Sequence, residues 1–305
     1  MIPHGSIPAV RPLTAAQREV WFAQQLLGPV PLTIAQYVDL RGPLDLVAYR
    51  RAVHLAARDL GAYVRFTLVD GQPGQVHDDD IDDHIAVVDC SRDSDPEAAA
   101  RAWMRADQCA PFDLITDPPI VTTVLRLNSE RHLLYTRAHH LALDGFGGVR
   151  MQHLLSGHYT ALLAGDELPS AAVDSTAVLT AAEESYLGSR RHGTDREYWR
   201  EQLAALPAPV TLAAGPGAPD PLPIHARAEL GQSLVERLTT RADFPGYAPV
   251  LVAAFAAFLG RLTDTESVAL SLPVTARTVA ALRECGAMTS NIVPLHCSGG
   301  TVGTA

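Results

Sequence analysis

The stretch "RAHHLALDGFGG", residues 137–148, places two histidines side by side, with an Asp-Gly pair four residues after the second. The preceding "HLLYTRA" favours a strand, and residues 147–164 have the apolar spacing of a helix. The stretch is therefore predicted to be a strand-to-helix loop, the kind of segment on which reactive side chains are displayed. An ordinary turn beside structural histidines is the alternative, but the full HHxxxDG pattern arises by accident far less often than any one of its residues.

The residue types in this motif suit acyl transfer. A histidine that is neutral near pH 7 can accept the proton of an attacking amine or hydroxyl, so His139 and His140 are candidate catalytic residues. Gly145 lets the backbone approach a substrate and can offer an N–H to a developing oxyanion. Asp144 is too close in sequence to be a free second base, and a buried aspartate needs a partner, usually an arginine elsewhere in the fold. The sequence has no GxSxG, P-loop or GxGxxG motif, which agrees with direct transfer between two bound substrates.

Composition narrows the class of protein. The 305 residues are enough for about two domains, and 47% hydrophobic with 19% charged residues is typical of a globular chain. A formal net charge of −10 without a basic stripe argues against a nucleic-acid partner. The N-terminus lacks the pattern of a signal peptide, and the longest apolar run, residues 248–260, is too short to span a membrane. We therefore expect a cytoplasmic protein.

No metal site is expected. The four cysteines are widely spaced and form no CxxC pair, which argues against a zinc site or a disulfide framework. The acidic stretch "DDDIDDH", residues 78–84, fits no EF-hand pattern and is predicted to be a solvated turn.

Hydrophobic periodicity predicts two α/β lobes, residues 1–175 and 190–305, joined between about 165 and 195. The first lobe is predicted to begin with a helix capped by Thr14 and to contain a hairpin over "YVRFTLVDGQPGQVH" and the strand leading to the histidines. The second is predicted to follow a Pro/Gly-rich loop (207–223) with a strand "IHARAEL" (224–230), a helix "LVERLTTRA", a buried helix at 248–262 and strands near 267–274 and 291–297.

Five segments in order resemble one known family. "HHLALDG" (139–145) is similar to the HHxxxDG signature of nonribosomal peptide synthetase condensation domains, within the chloramphenicol-acetyltransferase-like superfamily. The likeness extends over nearly the whole chain. The other matching segments are "LTAAQREVWFAQQL" near the N-terminus, "APFDLITDPPI", "DREYWREQLAALP" and "SLPVTARTVAALRECGAMTSNIVPLHC".

The resemblance implies a V-shaped pair of acetyltransferase-like lobes with a tunnel between them. Two phosphopantetheine arms, carried by acyl or peptidyl carrier domains, enter the tunnel from opposite faces as substrates, and no tightly bound cofactor is implied. One arm brings an acyl or peptidyl thioester and the other an aminoacyl thioester. The acceptor amine attacks the donor carbonyl to make an amide, so the implied activity is that of an acyltransferase.

The resemblance also assigns roles by position. His140 corresponds to the motif histidine credited with base or transition-state-positioning work. His139 and Asp144 correspond to mainly structural positions, and Gly145 backs the reacting centre. Arg277, in "PVTAR", matches the arginine that forms a salt bridge with the motif aspartate across the lobes, which would supply the partner that a buried Asp144 requires.

Other positions either match supporting residues of the family or depart from its pattern. Asn291 matches the asparagine of the NxxPL segment, a structural or tunnel residue. Gly147 stands where many elongating domains carry serine, which would leave room for a different donor, and Ser271 replaces the usual glycine before the Pro-Val pair. The chain stops shortly after the NxxPL segment. It is therefore expected to be a fragment with an incomplete second lobe, which puts the activity of the isolated chain in doubt.

Several relatives share parts of this pattern. A short leader before the opening motif favours a starter-type condensation domain, which takes its acyl donor in trans and precedes adenylation and carrier domains in the full-length protein. Cyclization domains replace the histidines, and epimerization domains normally follow a carrier domain. A polyketide-associated acyltransferase that forms esters and a non-catalytic docking module remain the alternatives.

Overall fold

The computed structural model describes residues 9–28, 30–78, 85–166, 168–213, 215, 226–241 and 243–298. Most of the acidic stretch at 78–84 and part of the Pro/Gly-rich loop at 207–223 lie outside these residues. The helices are α1 (Ala15–Leu27), α2 (Leu46–Leu60), α3 (Pro96–Gln108), α4 (Gly145–Ala164), α5 (Ser175–Leu187), α6 (Arg190–Ala204), α7 (Gln232–Thr239), α8 (Tyr247–Thr263) and α9 (Ala280–Glu284). The strands are β1 (Arg11–Pro12), β2 (Thr33–Arg41), β3 (Val64–Val69), β4 (Gln72–His77), β5 (Ala86–Asp89), β6 (Ile120–Asn128), β7 (Arg131–His139), β8 (Ser267–Val274) and β9 (Asn291–Ser298).

A four-stranded sheet in the order β2-β7-β6-β5 carries the histidine motif. Strand β7 pairs antiparallel with both β2 and β6, while β5 runs parallel to β6. Leu134 and Ala138 of β7 face a core formed with α2 and α4, whereas Leu133 and Tyr135 face a core formed with α3. Because β7 is paired on both edges and covered on both faces, its C-terminal end holds the motif at a fixed position.

Short-range signals in the sequence account for the elements around this sheet. Helix α1 begins after Thr14, as its sequence predicts, and Thr14 forms a capping box with Gln17. The predicted hairpin is β3 and β4, and its turn residues Asp70 and Gly71 have φ values of 50° and 77°, as a type I′ turn requires. This hairpin joins β1 in a second, three-stranded sheet.

The chain divides into two compact units, and the boundary is not a single cut. Among the described residues, the first unit comprises those up to Gly188 and Thr275–Asn291, and the second comprises those from Ser189 to Val274 and from Ile292 to Ser298. The sequence assigned 275–291 to its second lobe, 190–305. Long-range packing explains the difference, because Leu282 of α9 lies in one hydrophobic cluster with Leu179 of α5.

Helix α5 occupies a region for which the sequence predicted only a linker rich in small residues. Asp174 caps it by accepting a hydrogen bond from the Ala177 N–H at 3.0 Å. Leu179 is buried on its inner face. Small side chains gave little hydrophobic periodicity, so the helix is defined by its cap and its packing rather than by an apolar stripe.

The second unit contains α6, α7, α8, β8 and most of β9. The predictions of α7, β8 and β9 are confirmed, but the segment 226–230 forms no strand. The expectation that α8 is buried is also wrong. Within the described residues only Ala256 and Leu259 of this helix are buried, because it packs on the two-stranded sheet along one side. Five large side chains of α8 are exposed: Tyr247, Leu251, Phe255, Phe258 and Leu262.

Neither a membrane span nor a metal cluster is found among the described residues. Across this part of the chain, no helix has the length and hydropathy that a membrane crossing requires. The same residues contain no cluster of three or more His, Cys, Asp or Glu side chains placed to bind a metal ion. All four cysteines are free thiols.

The end of α2 provides a test of the packing between elements of the first unit. Gly61 ends this helix at φ 72°, and a Cβ there would lie 2.8 Å from the Val173 carbonyl oxygen. Gly165 ends α4 at φ 79°, and a Cβ there would have nothing within 4 Å. We expect Gly165→Ala to cost about 1 kcal/mol from backbone strain, and Gly61→Ala to cost about 1–3 kcal/mol more from the clash. Urea unfolding measures both, and equal losses would contradict this account.

Candidate active site

His139 is fully buried and hydrogen-bonded at both ring nitrogens. The Leu141 N–H donates to its Nδ1 at 3.1 Å, so Nε2 carries the proton and donates to Gln24 Oε1 at 3.0 Å. The ring also stacks on Phe112, with 4.9 Å between centroids. These contacts fix one tautomer and one orientation, and they occupy both nitrogens.

His139 is held in its neutral form. Burial, together with the nearby His140 and Arg137, lowers the pKa of His139 to about 4. A ring that stays neutral at physiological pH and has no free nitrogen is poorly placed to exchange a proton with a substrate. Its geometry is that of a scaffold for the loop.

His140 differs from His139 in its burial and in the hydrogen bonding of its ring. Its backbone N–H donates to the Leu32 carbonyl at 2.8 Å, which extends the β2–β7 ladder by one residue. The ring is half-buried, and no described residue hydrogen-bonds to its nitrogens. Burial lowers the pKa of His140, with the charge of Asp144 acting in the opposite direction, so the ring is neutral at pH 7 and able to accept a proton.

Asp144 is the N-cap of α4 and is completely buried. Its Oδ1 accepts from the Gly147 N–H at 2.9 Å and its backbone oxygen from the Gly148 N–H. Its Oδ2 accepts from the Thr289 N–H at 3.2 Å and from both the N–H and the hydroxyl of Ser290, the latter at 2.9 Å. The carboxylate therefore joins the start of α4 to the 289–290 segment, which is remote in sequence.

Arg277 supplies the positive charge opposite this carboxylate. Its Nη2 donates to the two oxygens of Asp144 at 2.7 and 2.9 Å and to the Ala287 carbonyl at 2.9 Å. Its Nη1 donates to the carbonyls of Leu282 and Cys285. Both charged side chains are about 98% buried or more, so the pair is shielded from water and salt.

The surroundings of Asp144 keep it ionised. Burial acts to raise its pKa, but the hydrogen bond from the Gly147 N–H and the charge of Arg277 outweigh burial and lower the pKa below its ordinary value. The carboxylate therefore stays negative at neutral pH and accepts hydrogen bonds only. It is directed toward Arg277 and does not act as a proton shuttle to His140.

The segment around Gly286 packs against the motif by backbone contacts. The Gly286 N–H donates to the Leu60 carbonyl at 3.1 Å, and the Met288 N–H donates to the Ala142 carbonyl at 3.2 Å. A Cβ at Gly147 would lie 2.0 Å from the Gly286 carbonyl oxygen. Gly147 thus permits close helix-to-segment contact, which replaces the expectation that it leaves room for a donor.

The remaining predicted site residues, Gly145 and Asn291, are more exposed than His139 and Asp144. Gly145 is exposed as the first residue of α4, and nothing lies within 4 Å of the position that a Cβ would take. Next to it, the Phe146 ring lies 4.4 Å from the Arg277 guanidinium carbon, in cation–π geometry. Asn291, the first residue of β9, is half-buried.

Sequence reasoning missed several residues of this site. Gln24, Thr289 and Ser290 donate or accept hydrogen bonds to the motif, and Phe112 stacks on it. A signal for Gln24 was present, because it lies seven residues after Gln17 on the buried face of an amphipathic helix. A polar residue on a buried face needs a partner.

The fold and the motif together place the chain in a known family. The condensation domain family matches residues 8–298, nearly the entire chain. The chain belongs to the condensation domain family, whose members are acyltransferases that form amide bonds. Its fold is the chloramphenicol-acetyltransferase-like fold that the resemblance implied.

Curated relatives are much longer proteins. The chain is 34% identical over 298 residues to an isonitrile lipopeptide synthase of Streptomyces coeruleorubidus, covering 96% of this chain and 20% of that protein. It is 31% identical to a dimodular nonribosomal peptide synthase of Bacillus subtilis (strain 168), covering 93% of this chain and 12% of that protein. The chain thus spans about a fifth or less of these relatives.

Solved structures show the same fold. A mutant of the starter condensation domain of rhizomide synthetase RzmA in complex with C8-CoA has a TM-score of 0.82 at 28% identity. That match covers 96% of this chain and 67% of the solved one. The first condensation domain of the calcium-dependent antibiotic synthetase, in complex with a substrate analogue, has a TM-score of 0.79 at 30% identity. That match covers 95% of this chain and 70% of the other.

The burial of the Asp144–Arg277 pair can be measured against a more exposed pair on the same two segments. Arg277→Met leaves a buried carboxylate without its cation, and we expect a loss of about 3–5 kcal/mol in the free energy of unfolding. Arg150 on α4 pairs with Glu284, but both side chains are partly exposed. We expect Arg150→Met to cost less than about 1 kcal/mol. Chemical denaturation compares them, and similar losses would refute the role given to burial.

The neutral state of His139 predicts a pH dependence of stability. Its folded-state pKa of about 4 lies below the unfolded value of about 6.5, so between these values only the unfolded state binds the proton. The free energy of unfolding therefore decreases as the pH is lowered through this range, by up to about 3 kcal/mol from this ring. Urea unfolding from pH 7 to 4 should show a shallower fall for His139→Asn. Parallel curves for the two proteins would exclude this assignment.

Proposed function

We propose that this chain forms an amide bond between a carrier-bound acyl thioester and a carrier-bound aminoacyl acceptor, as a starter-type condensation domain. The observation that carries the proposal is the asymmetry of the motif histidines. His139 is locked by hydrogen bonds at both nitrogens, whereas the neighbouring His140 is neutral and has no such bond from a described residue. His140 is therefore the group available to an incoming amine.

In the proposed reaction, the amine nitrogen of the acceptor attacks the thioester carbonyl of the donor while His140 accepts or orients its proton. The C–N bond forms, the C–S bond breaks, and the sulfur of the donor arm leaves as a thiol after taking up the proton. The backbone at Gly145 lies in open space beside the loop, where a substrate can approach. Asp144 and Arg277 hold the loop in place and do not touch the reacting atoms.

The substrates and partners in the proposal follow from the relatives. The two phosphopantetheine arms would come from an acyl carrier and a peptidyl carrier domain, with an adenylation domain downstream in the full-length protein. A starter domain solved in complex with C8-CoA, and one solved with C8-CoA and Leu-SNAC, support a medium-chain acyl donor and an aminoacyl acceptor. The lipopeptide synthase among the relatives supports the same class of product.

The proposal is tested in the full-length polypeptide that contains this chain, with an acyl-loaded carrier protein and an aminoacyl-loaded carrier domain. We expect His140→Ala to lower the rate of product formation by about 10²-fold or more, because the proton acceptor is lost. His153→Ala is the matched control, since His153 is an exposed histidine on α4. Intact-protein mass spectrometry follows the acylated aminoacyl carrier.

Each alternative outcome identifies a different function. An unchanged rate in His140→Ala would point to another catalytic group or to a docking module. An ester product with a soluble acceptor would indicate the polyketide-associated type of acyltransferase. Acceptance of peptidyl donors alone would overturn the starter assignment.

A further inference from the structure

Gln24 has every hydrogen-bonding position of its side-chain amide occupied. It lies near the end of α1 and is 5% exposed. Its Nε2 donates to the carbonyls of Gly28 and Val30 at 2.9 and 3.0 Å. Its Oε1 accepts from the Leu32 N–H at 2.8 Å and from His139 Nε2 at 3.0 Å. A buried amide with four partners has one permitted orientation.

One of these bonds fixes the first motif histidine. Because Oε1 already accepts from a backbone N–H, it is unambiguously the oxygen, and His139 Nε2 must be the donor. The Leu141 N–H imposes the same tautomer from the other side of the ring. Gln24 and the loop backbone therefore hold the ring between them.

A second hydrogen bond of Gln24 connects it to His140 through Leu32. The Leu32 N–H is bound by Gln24, and the Leu32 carbonyl accepts from the His140 N–H at 2.8 Å. Leu32 directly precedes β2, so it carries the position of α1 into the β2–β7 ladder. The backbone of His140 is thus two hydrogen bonds away from the amide of Gln24.

We propose that Gln24 is a positioning residue that holds the ring of His139 through its Nε2–H and sets the backbone position of His140 at the same time. This inference rests on the proposed function, in which His140 serves the acceptor amine. Gln24 itself lies behind the histidines and touches neither substrate. Its effect comes from placement, and a displacement of about 1 Å at a reacting group can cost on the order of 10²-fold in rate.

The first experiment needs no variant. Long-range ¹H–¹⁵N correlation spectra of ¹⁵N-histidine-labelled protein report which nitrogen of each ring is protonated, and contacts with the Phe112 ring assign His139. We expect His139 to be neutral and protonated at Nε2 at pH 7. A charged ring, or one protonated at Nδ1, would overturn the proposal.

The second experiment removes the amide while keeping its length. Gln24→Met should leave the Nε2–H of His139 without its acceptor, shift the ¹H and ¹⁵N resonances of that group, and lower kcat by at least about 10-fold, with KM for the carrier substrates nearly unchanged. Gln25→Met is the matched control, since Gln25 is the exposed next residue of the same helix. Rates are measured in the full-length polypeptide with loaded carriers, and spectra on the same proteins.

A conservative variant separates positioning from general support of α1. Gln24→Glu keeps an oxygen for the Leu32 N–H and His139 but loses the donors to the carbonyls of Gly28 and Val30. We expect it to retain the His139 tautomer. Its log kcat should recover at least about half of the difference between Gln24→Met and the wild-type protein. A Gln24→Met protein with kcat within two-fold of Gln25→Met, or with unchanged resonances of the His139 Nε2–H, would overturn the inference.

Failure of the proposed function gives a different result. If wild-type protein makes no amide from any loaded donor, the acyl-transfer proposal fails. The spectra then decide the Gln24 inference alone, because the hydrogen bond at His139 Nε2 and its loss in Gln24→Met are observed without turnover.

Discussion

The buried ion pair between Asp144 and Arg277 is the contact on which the site depends. It joins two segments separated by 133 residues, and the carboxylate also caps α4 and binds the 289–290 backbone. Two charges that are almost fully removed from water are stable only as a hydrogen-bonded pair, so each constrains the other. The contacts of Asp144 and the packing of Leu282 with Leu179 together hold residues 275–291 in the first unit, although most of the surrounding sequence belongs to the second.

Because the loop is held in this way, the two adjacent histidines have different surroundings and different roles. β7 ends at His139, whose ring turns inward and is saturated by Gln24 and the Leu141 N–H. His140 follows with a backbone hydrogen bond to Leu32 and a ring whose nitrogens form no hydrogen bond with a described residue. His139 is the last residue of β7 and its ring is buried, whereas His140 lies one residue beyond the strand and its ring is only half-buried. The first unit thus combines a rigid support with one available base.

Several features of the site could not have been read from local patterns. The contact between Gln24 and His139 joins residues 115 apart, and nothing in the spacing of either segment specifies the other. The resemblance supplied Arg277 as a partner for Asp144, but the hydroxyl and amides of Thr289 and Ser290 emerged only from the fold. The role of Gly147 could not be predicted from local patterns either, because it depends on the carbonyl of Gly286, 139 positions further along the chain.

The sequence by itself determined the elements whose signals are short-range, and it determined the motif. A capping box, a type I′ hairpin and the strand leading into HHxxxDG are all encoded within about ten residues, because hydrogen bonds and periodicity at that scale are local. Tertiary structure alone decided that α5 is a helix packed beneath α9, that α8 exposes a row of large apolar side chains, and that residues 275–291 belong with the first unit. Burial and long-range pairing set these outcomes, and they depend on which distant surfaces meet rather than on any pattern along the chain.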